Sequence, residues 1–198
     1  EGDELVNVEL SSGENDVLIA TSKGKAIRFE EKLVRNMSRA TMGVTAINLQ
    51  DDDYVVNMAV IKDNCEILTI TENGYGKRTD ISEYRVTGRN CKGIITHNLN
   101  QITGNIVDMA AVTGDEDIML ITNDGIIIRT KVSQIRTMGR STQGVRVMRV
   151  KEGVQVVAIA VAPHEENAET VLGEDGNPII TEGATEQTGE KTENMETL

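Results

Sequence analysis

Tryptophan is absent from this chain, and its aromatic residues are Phe29, Tyr54, Tyr75 and Tyr84. Proteins that read single strands or RNA stack bases on aromatic platforms, so that mode has almost no side chains to use. The missing tryptophan also removes the Trp-Asp signature of one common propeller class. Two cysteines cannot build a disulfide framework. Cys91 falls where Thr41 and Thr142 stand in related segments, and Cys65 heads an apolar run. Both read as reduced thiols, and the expected location is cytoplasmic. No Cys/His spacing fits a zinc site; His97 aligns with Ile47 and Met148, a packing position. No apolar run approaches the roughly 20 residues of a membrane helix, and no secretory pattern is present, so no membrane partner is expected. Catalytic patterns are equally scarce. Asp51-Asp52-Asp53 and Asp115-Glu116-Asp117 lack the glycine and distal glutamate of a calcium loop and read as acidic turns. No Ser-His-Asp or Cys-His set recurs, and Gly74-Tyr75-Gly76 sits inside a hairpin rather than between strand and helix. No catalytic residue, metal or cofactor is expected.

What the chain does contain is one pattern written three times. Gly24, Gly74 and Gly125 are 50 and 51 residues apart. Arg28, Arg78 and Arg129 keep that spacing. So do Arg39, Arg89 and Arg140, each four residues before a glycine (Gly43, Gly93, Gly144). A period near 50 marks a propeller or solenoid, in which each unit buries its apolar face on a neighbour. Leu5-Val6-Asn7-Val8 matches Val55-Val56-Asn57-Met58, so the chain is expected to start partway through a repeat of a longer protein.

One repeat reads as four strands. Residues 16–21 and 25–29 flank Lys23-Gly24, and the later copies carry Asn73-Gly74 and Asp124-Gly125 at this turn. Asn-Gly and Asp-Gly are strong short hairpin signals. A polar loop ends at Gly43, residues 44–49 form a third strand, and residues 54–61 form a fourth. Four short strands without helical periodicity predict an all-β, propeller-like fold of four-stranded blades, about three of them present. Residues 1–162 are assigned to this domain and residues 163–198 to an acidic tail. From Glu165 onward there are ten acidic residues and one lysine. With little apolar surface to offset ordering entropy, the tail is expected to be disordered.

The net charge of −12 hides a strong asymmetry. Segments 23–39, 77–92 and 129–149 hold 17 of the 19 basic residues that precede the tail. In a radial fold, equivalent positions share a rim. Lys23, Lys25, Arg28, Lys32, Arg35 and Arg39 are therefore expected to run on into Lys77, Arg78, Arg85, Arg89 and Lys92, then Arg129, Lys131, Arg136 and Arg140. Such a band suits a phosphate backbone, neutralising charge along a path and releasing counterions. With few aromatics and no recognition helix, the expected ligand is double-stranded DNA held without sequence preference. The acidic tail is placed to compete with DNA for the band, or simply to solubilise. Charge reversal at Arg28, Arg78 and Arg129 is expected to abolish binding while the fold survives. The alternative is a propeller scaffold for protein partners, whose binding would survive high salt.

The string Thr71-Glu72-Asn73-Gly74-Tyr75-Gly76-Lys77-Arg78, with Glu83-Tyr84 and Gly93-Ile94-Ile95, resembles the C-terminal DNA-wrapping domain of the bacterial DNA gyrase A subunit. Gly139-Arg140-Ser141-Thr142-Gln143-Gly144-Val145 is similar to its last blade, and Gly24-Lys25-Ala26-Ile27-Arg28-Phe29 to an earlier one. The resemblance covers about residues 1–162. It implies a β-pinwheel whose neighbouring blades exchange strands, here the last three blades, with a basic rim that wraps duplex DNA. It further implies partners in the gyrase B subunit, together with the remainder of the gyrase A subunit. The parent would be a type II topoisomerase, an isomerase that introduces negative supercoils with ATP, while this portion would be non-catalytic. The Gln-Arg-Arg-Gly-Gly type box of the first gyrase blade is absent from this sequence, which keeps the equivalent domain of topoisomerase IV as an alternative.

Overall fold

The three glycine turns nucleate three antiparallel hairpins, and everything else in the fold is arranged around them. The computed structural model describes residues 4–164 together with 171–172 and 178–179. The first repeat supplies β1 (Asp16–Thr21), β2 (Lys25–Glu30) and β3 (Val55–Ile61). The second supplies β4 (Glu66–Thr71), β5 (Tyr75–Asp80), β6 (Ile94–Ile95) and β7 (Ile106–Val112). The third supplies β8 (Glu116–Thr122), β9 (Ile127–Lys131), β10 (Val145–Arg146) and β11 (Val156–Pro163). Gly24, Gly74 and Gly125 take φ of 80°, 75° and 84°, a left-handed conformation that glycine reaches without a Cβ penalty. A single 3-10 turn follows each return strand, at Glu31–Leu33, Ile81–Glu83 and Val132–Gln134.

The sheets run β3-β1-β2-β6, β7-β4-β5-β10 and β11-β8-β9. The outer strand of each four-stranded sheet therefore comes from the next repeat, as the pinwheel resemblance implies. Ile94 pairs with Ala26 and Ile95 with Lys25; Val145 pairs with Gly76 and Arg146 with Tyr75. The predicted strand over 44–49 does not form as a ladder, and only Ile47 bridges Cys91. The equivalent residues Ile94–Ile95 and Val145–Arg146 pair with the return strand of the preceding repeat, and no such strand lies beside Gly43 among the described residues. What segment 44–49 keeps is its contact on the other side, where Asn48 donates to the Cys91 carbonyl at 2.9 Å.

Period-2 alternation gives each sheet two apolar faces. Leu18, Ala20 and Ala59 of the first sheet meet Ile67 and Met109 of the second, with Tyr84 from the loop after β5 packed in the same cluster. Leu68, Ile70 and Val112 of the second meet Ile118, Leu120 and Val156 of the third. Each fully buried Leu or Ile contributes about 1.5–3 kcal/mol. The inner strands are also stitched side by side. Asn7 donates to Asn57 at 2.8 Å, and Asn57 donates to Asp108 at 2.7 Å, a polar ladder at the repeat spacing. Strand β11 ends at Pro163, one residue past the expected domain boundary, and His164 bonds Asp117 at 2.9 Å. The disordered tail expected beyond lies outside the described residues, apart from a short ladder between β12 (Val171–Leu172) and β13 (Pro178–Ile179). Overall acidity hid that local signal, two apolar pairs flanking a Gly/Asp-rich stretch.

His97 occupies the packing position expected of it and is 2% exposed. Its Nε2 donates to the Gln143 carbonyl at 2.8 Å, and its Nδ1 accepts from Thr69 at 3.0 Å. Burial lowers its pKa to about 4, and nearby Lys77 adds to the fall, against the opposing pull of the Gln143 carbonyl. The unfolded chain takes up this proton near pH 6.5 and the folded chain only near 4, so stability is complete above 6.5 and drains as pH falls through that window. The loss is about 3 kcal/mol. His97→Met, which installs the residue that Met148 supplies one repeat later, should flatten this difference in denaturant unfolding at about pH 7 and about pH 4. An identical pH dependence in both proteins would sink the assignment.

Candidate nucleic-acid interface

The sheet order fixes where charge can be displayed. Strands β3, β7 and β11 pack on one another, so β2, β5 and β9, with the loops that follow them, form the opposite side of each sheet. The basic residues of this side divide into two groups with different jobs.

The arginines in strict register are bound into the fold. Arg28 pairs with Asp16 at 2.8 Å and donates to the carbonyls of Ile81 and Tyr84 at 2.9 and 3.2 Å. Arg78 pairs with Glu66 at 2.6 Å and donates to Ile135 and Ser133 at 2.7 and 3.5 Å. Their side chains are only 18% and 15% exposed. Arg129 pairs with Asp117 at 2.7 Å and donates to the Pro163 carbonyl at 3.1 Å. The acids repeat with the arginines, so each repeat carries its own ion pair, and the first two clamp the next repeat's loop. Arg89 and Arg140 reach the other way, to the preceding repeat: Arg89 donates to the carbonyls of Leu33 and Thr45 at 3.1 and 2.8 Å, and Arg140 donates to the Ile95 carbonyl. These residues do not form the free rim that their spacing predicts. Reversing charge at Arg28 and Arg78 would oppose Asp16 and Glu66 directly, so loss of stability is the expected outcome of that substitution rather than survival of the fold.

Lys77 is the clearest correction. It is fully buried. Its Nζ donates to the carbonyls of Gly139, Arg140 and Thr142 at 2.8, 2.5 and 3.0 Å, closing the third repeat's loop around an ammonium. Burial pulls its pKa down to about 8, with Glu83 opposing. No phosphate can reach it.

The second group faces solvent. Lys23, Arg35, Arg39, Arg85, Lys92, Lys131 and Arg136 are exposed, as is Lys32, which pairs with Glu30 at 3.0 Å. Lys25 is half-buried at the start of β2. A cleft of about 250 Å³ between β2 and the segment 85–94 is lined by Arg85, Lys92 and Arg28. Three further cations, Arg146, Arg149 and Lys151, lie outside the band that register predicts; Arg146, Arg149 and Lys151 are all exposed. Arg146 stacks 5.3 Å above the Tyr75 ring and donates to its hydroxyl at 2.8 Å. Their counterparts in other repeats are not basic, so a search for residues in register passes over them.

A family profile described as DNA gyrase C-terminal domain, beta-propeller, matches residues 15–62, 66–112 and 116–163, one stretch per repeat. The chain is 42% identical over 199 residues to the gyrase A protein of Staphylococcus aureus strain NCTC 8325 / PS 47, covering 100% of this chain and 22% of that protein. The gyrase A protein of strain MRSA252 gives the same identity and coverage. The chain thus spans about a fifth of the length of the curated relatives it matches. Among solved structures, a DNA gyrase A C-terminal domain superposes with a TM-score of 0.71 and 27% identity, covering 75% of this chain and 51% of that one. The C-terminal domain of a DNA topoisomerase IV gives 0.75 and 26%, covering 80% and 50%.

Proposed function

Because the chain belongs to the DNA gyrase C-terminal-domain family of β-propellers, we propose that it is a duplex-DNA-binding and wrapping module, itself non-catalytic, of the gyrase A protein. The observation that carries this reading is the exposed cation set on the post-hairpin loops of three successive repeats: Arg35 and Arg39, Arg85 and Lys92, Lys131 and Arg136. The in-register arginines hold each loop in place, and the loop residues meet the phosphates. Arg146, Arg149 and Lys151 extend the contact surface. Electrostatic contact of this type binds duplex without reading bases.

The partners in this reading are the gyrase B protein and the remainder of gyrase A, in the cytoplasm. ATP-dependent negative supercoiling belongs to that assembly, an isomerase of the type II topoisomerase class. Two of the three tyrosines are engaged in the fold, which supports a non-catalytic role here, while Tyr54 is 57% exposed beside the acidic turn. Tyr84 is buried with its hydroxyl 2.6 Å from Thr96, and Tyr75 is engaged by Arg146. A second reading, the corresponding domain of topoisomerase IV, rests on the comparable structural similarity. Supercoiling or decatenation by the reconstituted parent enzyme separates the two.

The direct test is a salt titration of binding to a duplex of about forty base pairs, with and without residues 165–198. Each phosphate contact adds about −0.9 to the slope of log affinity against log salt, so a slope of about −5 or steeper is expected. Removal of the acidic segment should tighten binding at low salt. Binding that is absent at low salt, or indifferent to salt, would reject the phosphate track.

A further inference from the structure

The post-hairpin loops of the second and third repeats occupy equivalent places but are held differently. The stretch 139–143 of the third repeat is gripped by three side chains of the second. Lys77 donates to the carbonyls of Gly139, Arg140 and Thr142. Glu83, in the turn after β5, accepts from the Arg140 amide at 2.7 Å. His97 lies on the crossing segment, which carries β6 to the preceding sheet. Its Nε2 donates to the Gln143 carbonyl, and Thr69 fixes the ring from the other side. Four carbonyls and one amide within five consecutive residues are thus satisfied from outside the loop.

One repeat earlier, the same three positions are Ile27, Leu33 and Ile47. Their side chains have no polar atom to offer loop 88–92. That loop is held instead through its own Arg89 and through the Asn90 amide, 2.6 Å from the Ala46 carbonyl. Stacking of blades therefore does not require the polar trio, since apolar residues serve at the first junction. Two of its members are also unfavourable where they stand. Lys77 is a fully buried ammonium, and Glu83 is an exposed acid on a basic surface. What the trio fixes is the stretch between Arg136 and Arg146, two exposed cations that flank it.

Building on the DNA-binding reading above, we propose that Lys77, Glu83 and His97 are positioning residues for duplex binding, holding loop 139–143 in its bound shape before DNA arrives. None of the three meets a phosphate. They act through Arg136 and Arg146, whose places on the track are set by the latched stretch between them. A loop ordered in advance spares the complex the entropy of ordering it on contact. Glu83 thereby gains a use that its charge alone argues against: an acid beside the phosphate path that strengthens binding by what it holds.

Glu83→Leu in the 198-residue chain separates positioning from charge. Removing an acid from a basic surface should, by charge alone, tighten duplex binding. Loss of the latch should instead weaken it about fivefold at about 0.1 M salt. The slope of log affinity against log salt should not flatten, because no phosphate contact is lost. Hydrogen exchange in the free protein should quicken across 139–143 and stay unchanged across 88–92. The triple substitution Lys77→Ile, Glu83→Leu and His97→Ile installs the first repeat's residues without changing net charge, and should weaken binding further in the same manner. Binding by Glu83→Leu that is tighter or unchanged, a slope flattened by about 0.9 or more, or exchange equal to the parent's overturns the proposal. A parent that binds no duplex at low salt also overturns it, and the exchange contrast then shows whether the latch or the DNA-binding reading failed.

Discussion

Replacing Arg35, Arg39, Arg85, Lys92 and Arg136 together with glutamine should lower duplex affinity on the order of a thousandfold at about 0.1 M salt and leave the melting temperature unchanged. All five are exposed, and none forms an ion pair among the described residues. Their removal therefore costs the fold nothing beyond surface effects of about 0.5 kcal/mol. Each is positioned on a loop that the neighbouring repeat clamps from below. Losing five phosphate contacts should flatten the slope of log affinity against log salt by about 4. The change in slope is the decisive reading, since a general loss of structure lowers affinity without altering contacts in the surviving folded fraction. Full affinity with an unchanged slope would remove these loops from the interface.

Arg78→Met should act in the opposite way, lowering stability by about 3–5 kcal/mol with the salt slope of the folded protein intact. The substitution leaves Glu66 partly buried without its cation and strips donors from the carbonyls of Ile135 and Ser133. For a domain of this size each kcal/mol moves the melting temperature by about 2–4 °C, so a fall of roughly 10 °C is expected. Lys77→Met should destabilise in the same direction, by less, because the three orphaned carbonyls are offset by relief of the ammonium's own burial. Melting temperatures equal to the parent's would mean that these cations are surface charges after all.

The fold was legible in the sequence wherever one residue answers to one physical demand. Glycines at positive φ marked the turns and crossings, alternation marked the hairpin strands, and the shared period marked the stacked units. The arginines misled because register is ambiguous. A residue repeated in every unit can line a common surface, but it can equally be what each unit uses to hold the next. The distinguishing signal was present: Asp16, Glu66 and Asp117 keep the same spacing as Arg28, Arg78 and Arg129, which marks a repeated geometry of pairing rather than a row of free charge. Lys77 was also legible, since it aligns with Ile27 and Ile128, two apolar positions. Arg146 and Arg149 were not, because exposed cations need no partner and leave no periodic trace.

Strand exchange also sets a timetable for synthesis. The outer edge of β2 ends at Glu30, and the residues that cover it begin at Ile94. At ribosomal rates of about 5–20 residues per second, the nascent hairpin waits roughly 3 to 13 s with its edge bare. Every unit inherits the same delay, so the growing chain always exposes one unfinished edge until its successor emerges. Mutations in a crossing segment should therefore be felt first as loss of yield during translation, ahead of any defect in the finished protein.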